Sequence, residues 1–215
     1  QHEIVTEGYR ELTHASVTLR FPLRGLEGES LLIWTTTPWT LTSNVAAAVG
    51  PDLIYVKVRQ GDQILYLSKG ALSILKGDFE VLEEMPGEKL AGLTYDGPFD
   101  ELEAQQSMGG PQAHKVILWE EVGEEEGTGI VHIAPGCGAE DFELAHEYGL
   151  PAIAPLSEEG IFQEGFGSFT GTDVADSPQR VFDSLREKGI LYKVEDYTHR
   201  YPVCWRCSTE LVFRL

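Results

Sequence analysis

Val17, Leu19 and Phe21 alternate with polar neighbours from Ser16 to Phe21, which predicts a strand with one buried face. Ser30 to Thr35 is different, a continuous apolar run through Leu31, Leu32, Ile33 and Trp34 that predicts a buried strand. Ala46 to Val49 is a third strand, stopped by Gly50-Pro51. Ile54–Val58 and Gln63–Leu67 flank "RQGD" and predict a hairpin. "SKGALSILKG" predicts a short helix with Leu72 and Leu75 inward and a glycine stop, and Phe79–Leu82 predicts another strand before Pro86-Gly87. From about residue 86 to 112 the apolar period weakens and Gly and Pro accumulate, the texture of a long surface excursion. His114–Trp119 and Gly129–Ile133 predict strands, and Ala139–Tyr148 predicts a helix ended by Gly149. Ser177–Lys188 predicts a helix with Ser177 as cap, Pro178 in its first turn and Gly189 behind it; a late strand follows over Leu191–Tyr197. Many short strands with few helices imply an α+β, mainly β fold: a closed, barrel-like β core decorated by short helices.

At 215 residues the chain is one good-sized domain or a domain with an appendage. No apolar stretch approaches the roughly 18 residues of a membrane span, so no membrane partner is expected. The start "QHEIVTEGYRE" has no Met and no signal pattern and reads as a piece of something longer, expected to be monomeric. Charge narrows the partners further. Sixteen basic against 35 acidic residues give −19, with runs at Glu83-Glu84, Glu120-Glu121, Glu124-Glu125-Glu126 and Glu158-Glu159. Holding a phosphate backbone takes Lys and Arg, so tight autonomous nucleic-acid binding is not expected. Three cysteines make no disulfide framework, and two of them form Cys204-Trp205-Arg206-Cys207, which points to a cytoplasmic setting.

Candidate chemistry concentrates in two stretches. The apolar run Leu31–Trp34 passes into "TTTPWTLTSN", which stacks Thr35, Thr36, Thr37 and Thr40 around Pro38 and Trp39 and closes on Asn44. The second, "GTGIVHIAPGCGAEDFELA", holds a strand, a glycine-rich turn and a helix start. It has no Gly-Lys-Ser/Thr and is not a phosphate loop. His132 ends the strand, and Glu140 and Asp141 fall in the first turn of the helix, where a carboxylate is favoured by free N–H groups.

"TTTPWTLTSNVAAAVGPDLIYV" and "GTGIVHIAPGCGAEDF", about 90 residues apart, together resemble the two signature segments of the editing domain of isoleucyl-tRNA synthetase, the connective-peptide insertion of that enzyme. The sister domains of valyl- and leucyl-tRNA synthetases typically carry Thr-Thr-Arg-Pro-Glu-Thr in the first segment and lack the histidine in the second. Trp39 and His132 therefore point to the isoleucyl branch. The resemblance implies a β-barrel with attached helices, spanning about residues 1–198 with excursions at 86–112 and, as a helical hairpin, 157–190. Residues 199–215 would lead back to the catalytic domain of the parent enzyme. It also implies an activity: hydrolysis of valine wrongly attached to tRNA(Ile), and of valyl-adenylate as a further substrate. One methylene is worth only about 1–3 kcal/mol to a hydrophobic pocket, a limit for which isoleucine against valine is the standard illustration, so a second and smaller pocket removes the errors. The implied partner is the 3′-terminal aminoacyl-adenosine of tRNA(Ile).

By the same resemblance Asp141 holds the α-ammonium of the amino acid, where its bare alternative is a helix N-terminal acid. His132 lies against the substrate side chain and ribose as a sieve wall; its alternative is a hydrogen-bonded core histidine, and proton acceptance by His132 or Asp141 stays open. Thr36 and Thr37, straddling the turn into Pro38, are the preferred catalytic pair for orienting water and the ester carbonyl. Thr35, Thr40, Ala134, Gly136 and Glu140 complete the expected substrate contacts. Trp39 offers a wall for the pocket or the adenine, or packs in the core, and Asn44 bridges to the ribose or caps. Cys204 and Cys207 stand at zinc-ligand spacing but supply half of the four ligands zinc takes, so no cofactor is expected within the chain and zinc only in the parent enzyme. Cys137 replaces the histidine frequent in the family. The alternative function is a non-catalytic insertion that docks the tRNA acceptor end.

Overall fold

The computed structural model describes residues 8–204 and 206–214. The first seven residues of the expected 1–198 span, and Trp205 of the Cys-x-x-Cys, lie outside them. The alternating stretch grows into a long strand β1, Tyr9–Pro22, because two partners share it. Its first half pairs only with β9, Leu191–Pro202, from Tyr9 opposite Pro202 onward. Its second half also pairs with β2, Glu29–Thr35, in the register Val17 opposite Thr35 and Phe21 opposite Leu31. There Val17, Leu19 and Phe21 are completely buried.

The remaining strands are β3 (Ala46–Val49), β4 (Ile54–Gln60), β5 (Gln63–Ser68), β6 (Glu80–Pro86), β7 (Val116–Leu118) and β8 (Ile130–Ile133). Six form one sheet in the order β6-β4-β5-β2-β1-β9, antiparallel except for β2 beside β5; three form a second, β7-β3-β8. Mostly sheet with a few helices is as expected, but among the described residues these ladders close no barrel. The large sheet ends on two free edges, β6 and β9. Both edges carry charge, Glu80, Glu83 and Glu84 on one and Lys193, Glu195 and Asp196 on the other, which keeps them from pairing. Hydropathy counts strands but does not say which edges meet.

The buried run Leu31–Ile33 reads as continuous because both faces of β2 are covered. Leu31 and Ile33 join the main core with Leu41, Val45–Val49 and Tyr55. Leu32 faces a smaller core of Val56, Val58, Leu65, Leu67, Ala71 and Leu75. Residues Lys69–Ile74 make a 3₁₀ turn rather than an α-helix, since Gly70 sits in the only turn available. The 86–112 excursion is not loose: it holds two short helices, α1 (Glu103–Met108) and α2 (Gly110–Ala113), and buries Tyr95, Phe99 and Leu102. Helix α3 spans Ala139–Tyr148 and α4 spans Pro178–Glu187. Between 157 and 190 there is this one helix and two 3₁₀ turns, not a helical hairpin. Val181, Phe182 and Leu185 of α4 are buried against β1 and the 3₁₀ turn Pro38–Ser43. β9 runs to Pro202, four residues beyond the expected boundary at 198.

Candidate active site

The threonine cluster sits where β2 stops. Pro38 begins the 3₁₀ turn Pro38–Ser43, and its ring keeps Thr37 out of helical geometry, at φ −124°, ψ 70°. Several hydroxyls are spent on holding this turn. Thr35 Oγ1 accepts from the Thr37 amide at 3.0 Å, Thr40 Oγ1 donates to the Thr37 carbonyl at 2.7 Å, and Thr42 Oγ1 donates to the Trp39 carbonyl at 2.8 Å. Thr36 and Thr37 sit half-buried on a cavity wall, and among the described residues no hydrogen bond occupies their hydroxyls. Because the strand ends at Thr35, alternation ends with it, and all three threonines line the same cavity.

The opposite wall comes from the glycine-rich stretch. Gly127, at φ +66°, lets backbone press on Trp34, whose ring a Cβ would meet at 2.7 Å. Gly136 passes so close to the Ile153 carbonyl that a Cβ there would lie 2.0 Å from the oxygen. The turn this permits delivers the start of α3, where Asp141 Oδ2 accepts from the Ala134 amide at 2.7 Å. Burial, opposed by the Ala134 amide and helped by the Glu140 charge, raises the Asp141 carboxyl above its ordinary pKa. The cavity between the walls holds about 540 Å³, within the range of small-ligand sites, and is lined by Thr36, Thr37, Thr40, His132, Ala134 and Asp141 among others.

His132 is buried and engaged at both nitrogens. Nε2 lies 2.8 Å from Thr40 Oγ1, and Nδ1 lies 3.5 Å from Asn44 Nδ2. Since the Thr40 hydroxyl gives its hydrogen to the Thr37 carbonyl, it accepts from Nε2–H. The imidazole therefore meets the cavity as a neutral ring with its basic nitrogen turned toward Asn44. Burial also drives its pKa from 6.5 down to about 4.

That shift has a consequence for stability. Between about pH 6.5 and 4 the unfolded chain takes up a proton at His132 that the folded chain refuses. The contribution is intact above pH 6.5 and drains away as pH falls to about 4, on the order of 3 kcal/mol in all. The raised Asp141 pKa acts oppositely, favouring the folded state at the acid end. Urea unfolding across this window should fall less steeply with acid in His132→Gln than in the parent chain; two parallel curves would refute the assignment.

Several expected contacts stand elsewhere. Trp39 is buried in the main core, outside the cavity lining. Asn44 is fully buried behind His132, and Glu140 is exposed. Gly136 shapes the turn without lining the cavity. Sequence reasoning passed over Trp34, Glu125 and Glu126, all in the lining. Trp34 stood directly before the threonine run, but a tryptophan ending an apolar strand reads as core. Cys137 also lines the cavity, its thiol kept protonated by burial. Cys204 and Cys207 share a tight turn in which Ser208 takes φ +60°. Contact with Thr209, 3.1 Å away, leads the causes that lower the Cys207 thiol to about 7. Two sulfurs do not satisfy a tetrahedral zinc ion, and the described residues hold no group of three or more His, Cys, Asp and Glu side chains placed for a metal.

No protein-family model matches the chain. Curated relatives do. The isoleucine–tRNA ligase of Pyrococcus abyssi is 42% identical over 225 residues, covering 100% of this chain and 21% of its own length. That of Thermus thermophilus is 44% identical over 223 residues, covering 99% of this chain and 20% of its own. The chain belongs to the isoleucine–tRNA ligase family. It spans about one fifth of the length of the ligases it matches. The fold is that of a solved Plasmodium knowlesi (P. knowlesi) cytosolic leucyl-tRNA synthetase editing domain, at TM-score 0.64 and 10% identity, covering 88% of this chain and 98% of that one. In this ligase segment no helix among the described residues is long and apolar enough to cross a membrane.

Proposed function

We propose that this ligase segment is a hydrolytic editing unit that cleaves valine from mischarged tRNA(Ile), with valyl-adenylate as a further substrate. The observation that carries the reading is the convergence of Thr36, Thr37, His132 and Asp141 from two distant stretches on one cavity. Homology to isoleucine–tRNA ligases along the whole chain supports the amino-acid assignment.

In this reading Asp141 pairs with the α-ammonium, and arrival of that charge favours the ionised carboxylate. The acidic rim of Glu125 and Glu126 suits a cationic amino acid and repels bare phosphate. Water adds to the ester carbonyl carbon, the bond to the ribose oxygen breaks, and that oxygen leaves with a proton, yielding valine and tRNA. Thr36 and Thr37 hydroxyls and the vicinal ribose hydroxyl orient the water; the neutral His132 bounds the side-chain pocket. Only the aminoacyl-adenosine end of the tRNA contacts this segment, and the catalytic domain of the cytoplasmic parent ligase delivers it, consistent with the −19 charge. No cofactor takes part. Cys204 and Cys207 would give zinc two of four ligands, the others coming from outside this segment.

The test is hydrolysis of valyl-tRNA(Ile) beside isoleucyl-tRNA(Ile) by the chain, with a soluble valyl-adenosine ester as a substrate that needs no delivery. Selective loss of valine is expected. Indifference to both tRNA and soluble valyl ester would favour the non-catalytic docking insertion.

A further inference from the structure

We infer that the ribbon of β1 and β9 carries a proton-operated clasp: His14 and His199 share one hydrogen bond across the two strands and hold one excess proton between them, so that a second proton opens the ribbon there. The inference stands apart from the editing reading and concerns two strands that do not line the cavity. His14 Nδ1 lies 2.8 Å from His199 Nε2, and His14 Nε2 lies 3.1 Å from Glu210 Oε1. A carboxylate only accepts, so His14 Nε2 carries a hydrogen and turns that N–H to Glu210. While His14 is neutral, its Nδ1 therefore accepts from His199 Nε2–H. The four ring nitrogens hold two hydrogens in the neutral pair and three with one excess proton. A fourth would set two N–H groups against each other across 2.8 Å, with no acceptor left between them.

The place of the pair makes the loss local. From Tyr9 to Ser16 β1 pairs with β9 alone, and β2 joins only at Val17. Within that ribbon Leu12 stands opposite His199 and His14 opposite Tyr197. The other face is tied by Thr13 Oγ1 and Thr198 Oγ1 at 2.8 Å, a bond that does not titrate. Arg10 shares the histidine face of β1, opposite Tyr201. From β9 the Tyr201 ring meets His14 edge-on at 4.9 Å, and the Tyr197 ring lies 5.6 Å from His199. Glu210 faces the pair from beyond β9 and Glu126 from the acidic turn before β8, and both charges favour a protonated His199. Burial first and the His14 charge next outweigh them, and the His199 pKa falls below its ordinary 6.5. A histidine lowered by folding supports the fold above its unfolded pKa and loses that contribution as pH falls. Acid, not base, therefore releases the clasp, and the two strands are then tied on the threonine face alone.

Histidine-labelled ¹H–¹⁵N spectra of the chain, titrated into acid and assigned with His14→Gln and His199→Gln, should show the pair taking up its two protons in steps at least about 1 pH unit apart. In His14→Gln the His199 step should move up toward the ordinary histidine value. Across the second step of the parent chain, amides of residues 12–14 and 197–199 should lose roughly 3- to 10-fold of their exchange protection beyond the intrinsic effect of pH, the size of one net hydrogen bond. Amides of the β4–β5 hairpin should keep theirs. A parent chain whose two histidines take up their protons together overturns the shared bond even if neither variant folds, and so does an unmoved His199 step in a folded His14→Gln. Unchanged ribbon protection through both steps overturns the clasp. Equal losses in ribbon and hairpin overturn it as well, since the second proton would then unfold the chain and not its ribbon.

Discussion

Asp141→Ala is expected to lower kcat/KM for valyl esters by roughly two to three orders of magnitude, because truncating one partner of a desolvated charge pair costs about 2–5 kcal/mol. From sequence, Asp141→Ala reads as a change with little effect on the fold. The structure refines that expectation, since Asp141 also accepts from the Ala134 amide. Leaving that amide without a partner destabilises by about 1–3 kcal/mol. Asp141→Asn separates the two roles, because an amide oxygen can still accept from Ala134 but carries no charge for the ammonium. Thermal unfolding with steady-state hydrolysis should therefore show Ala losing stability and activity, and Asn losing activity with most of its stability intact. Near-parental hydrolysis in the Asn variant would leave Asp141 as a structural tie alone.

His132→Ala is expected to act on selectivity. Removing the ring opens the cavity by more than the methylene that separates valine from isoleucine, so exclusion by overpacking, about 1–3 kcal/mol, is lost. Isoleucyl-tRNA(Ile), which the parent chain is expected to spare, should then be hydrolysed roughly 10- to 100-fold faster, approaching the valyl rate. Thr40 keeps its bond to the Thr37 carbonyl and Asn44 keeps Ala46 and Tyr95, so the polar frame survives the change. Continued sparing of isoleucyl-tRNA(Ile) would sink the role of His132 as a wall.

The parts of this site legible in the sequence were those with a local cause. The Thr35–Thr37 run, the strand into His132 and the acid in the first turn of α3 each depend on neighbours a few residues away. What stayed hidden depends on distant packing. Trp39 and Trp34 flank the same threonines, yet Trp39, in the 3₁₀ turn that Pro38 begins, enters the core, and Trp34, packed on Gly127, lines the cavity. Asn44 looked like a cap or a ribose contact; Ala46 is a local partner, but Tyr95 and Ile133 lie 51 and 89 residues away, where no spacing links them. The excursion looked loose because Gly97, Pro98, Gly109, Gly110 and Pro111 punctuate it, although Tyr95, Phe99, Leu102 and Gln105 are each buried. The open sheet was missed for the same reason, since strand patterns carry no record of which edges remain unpaired.

The pairing of Tyr9 with Pro202 bears on how such a unit can be carried. Facing residues of an antiparallel ladder lie about 5 Å apart, whatever the length of chain between them. To any polypeptide running in through β1 and out through β9, the nearly two hundred intervening residues therefore occupy the gap of a tight turn. Such a graft leaves the host backbone undistorted and adds little loop-closure entropy. Thr36, His132 and Asp141 all lie on that intervening chain, so the cavity is carried as one piece with the graft.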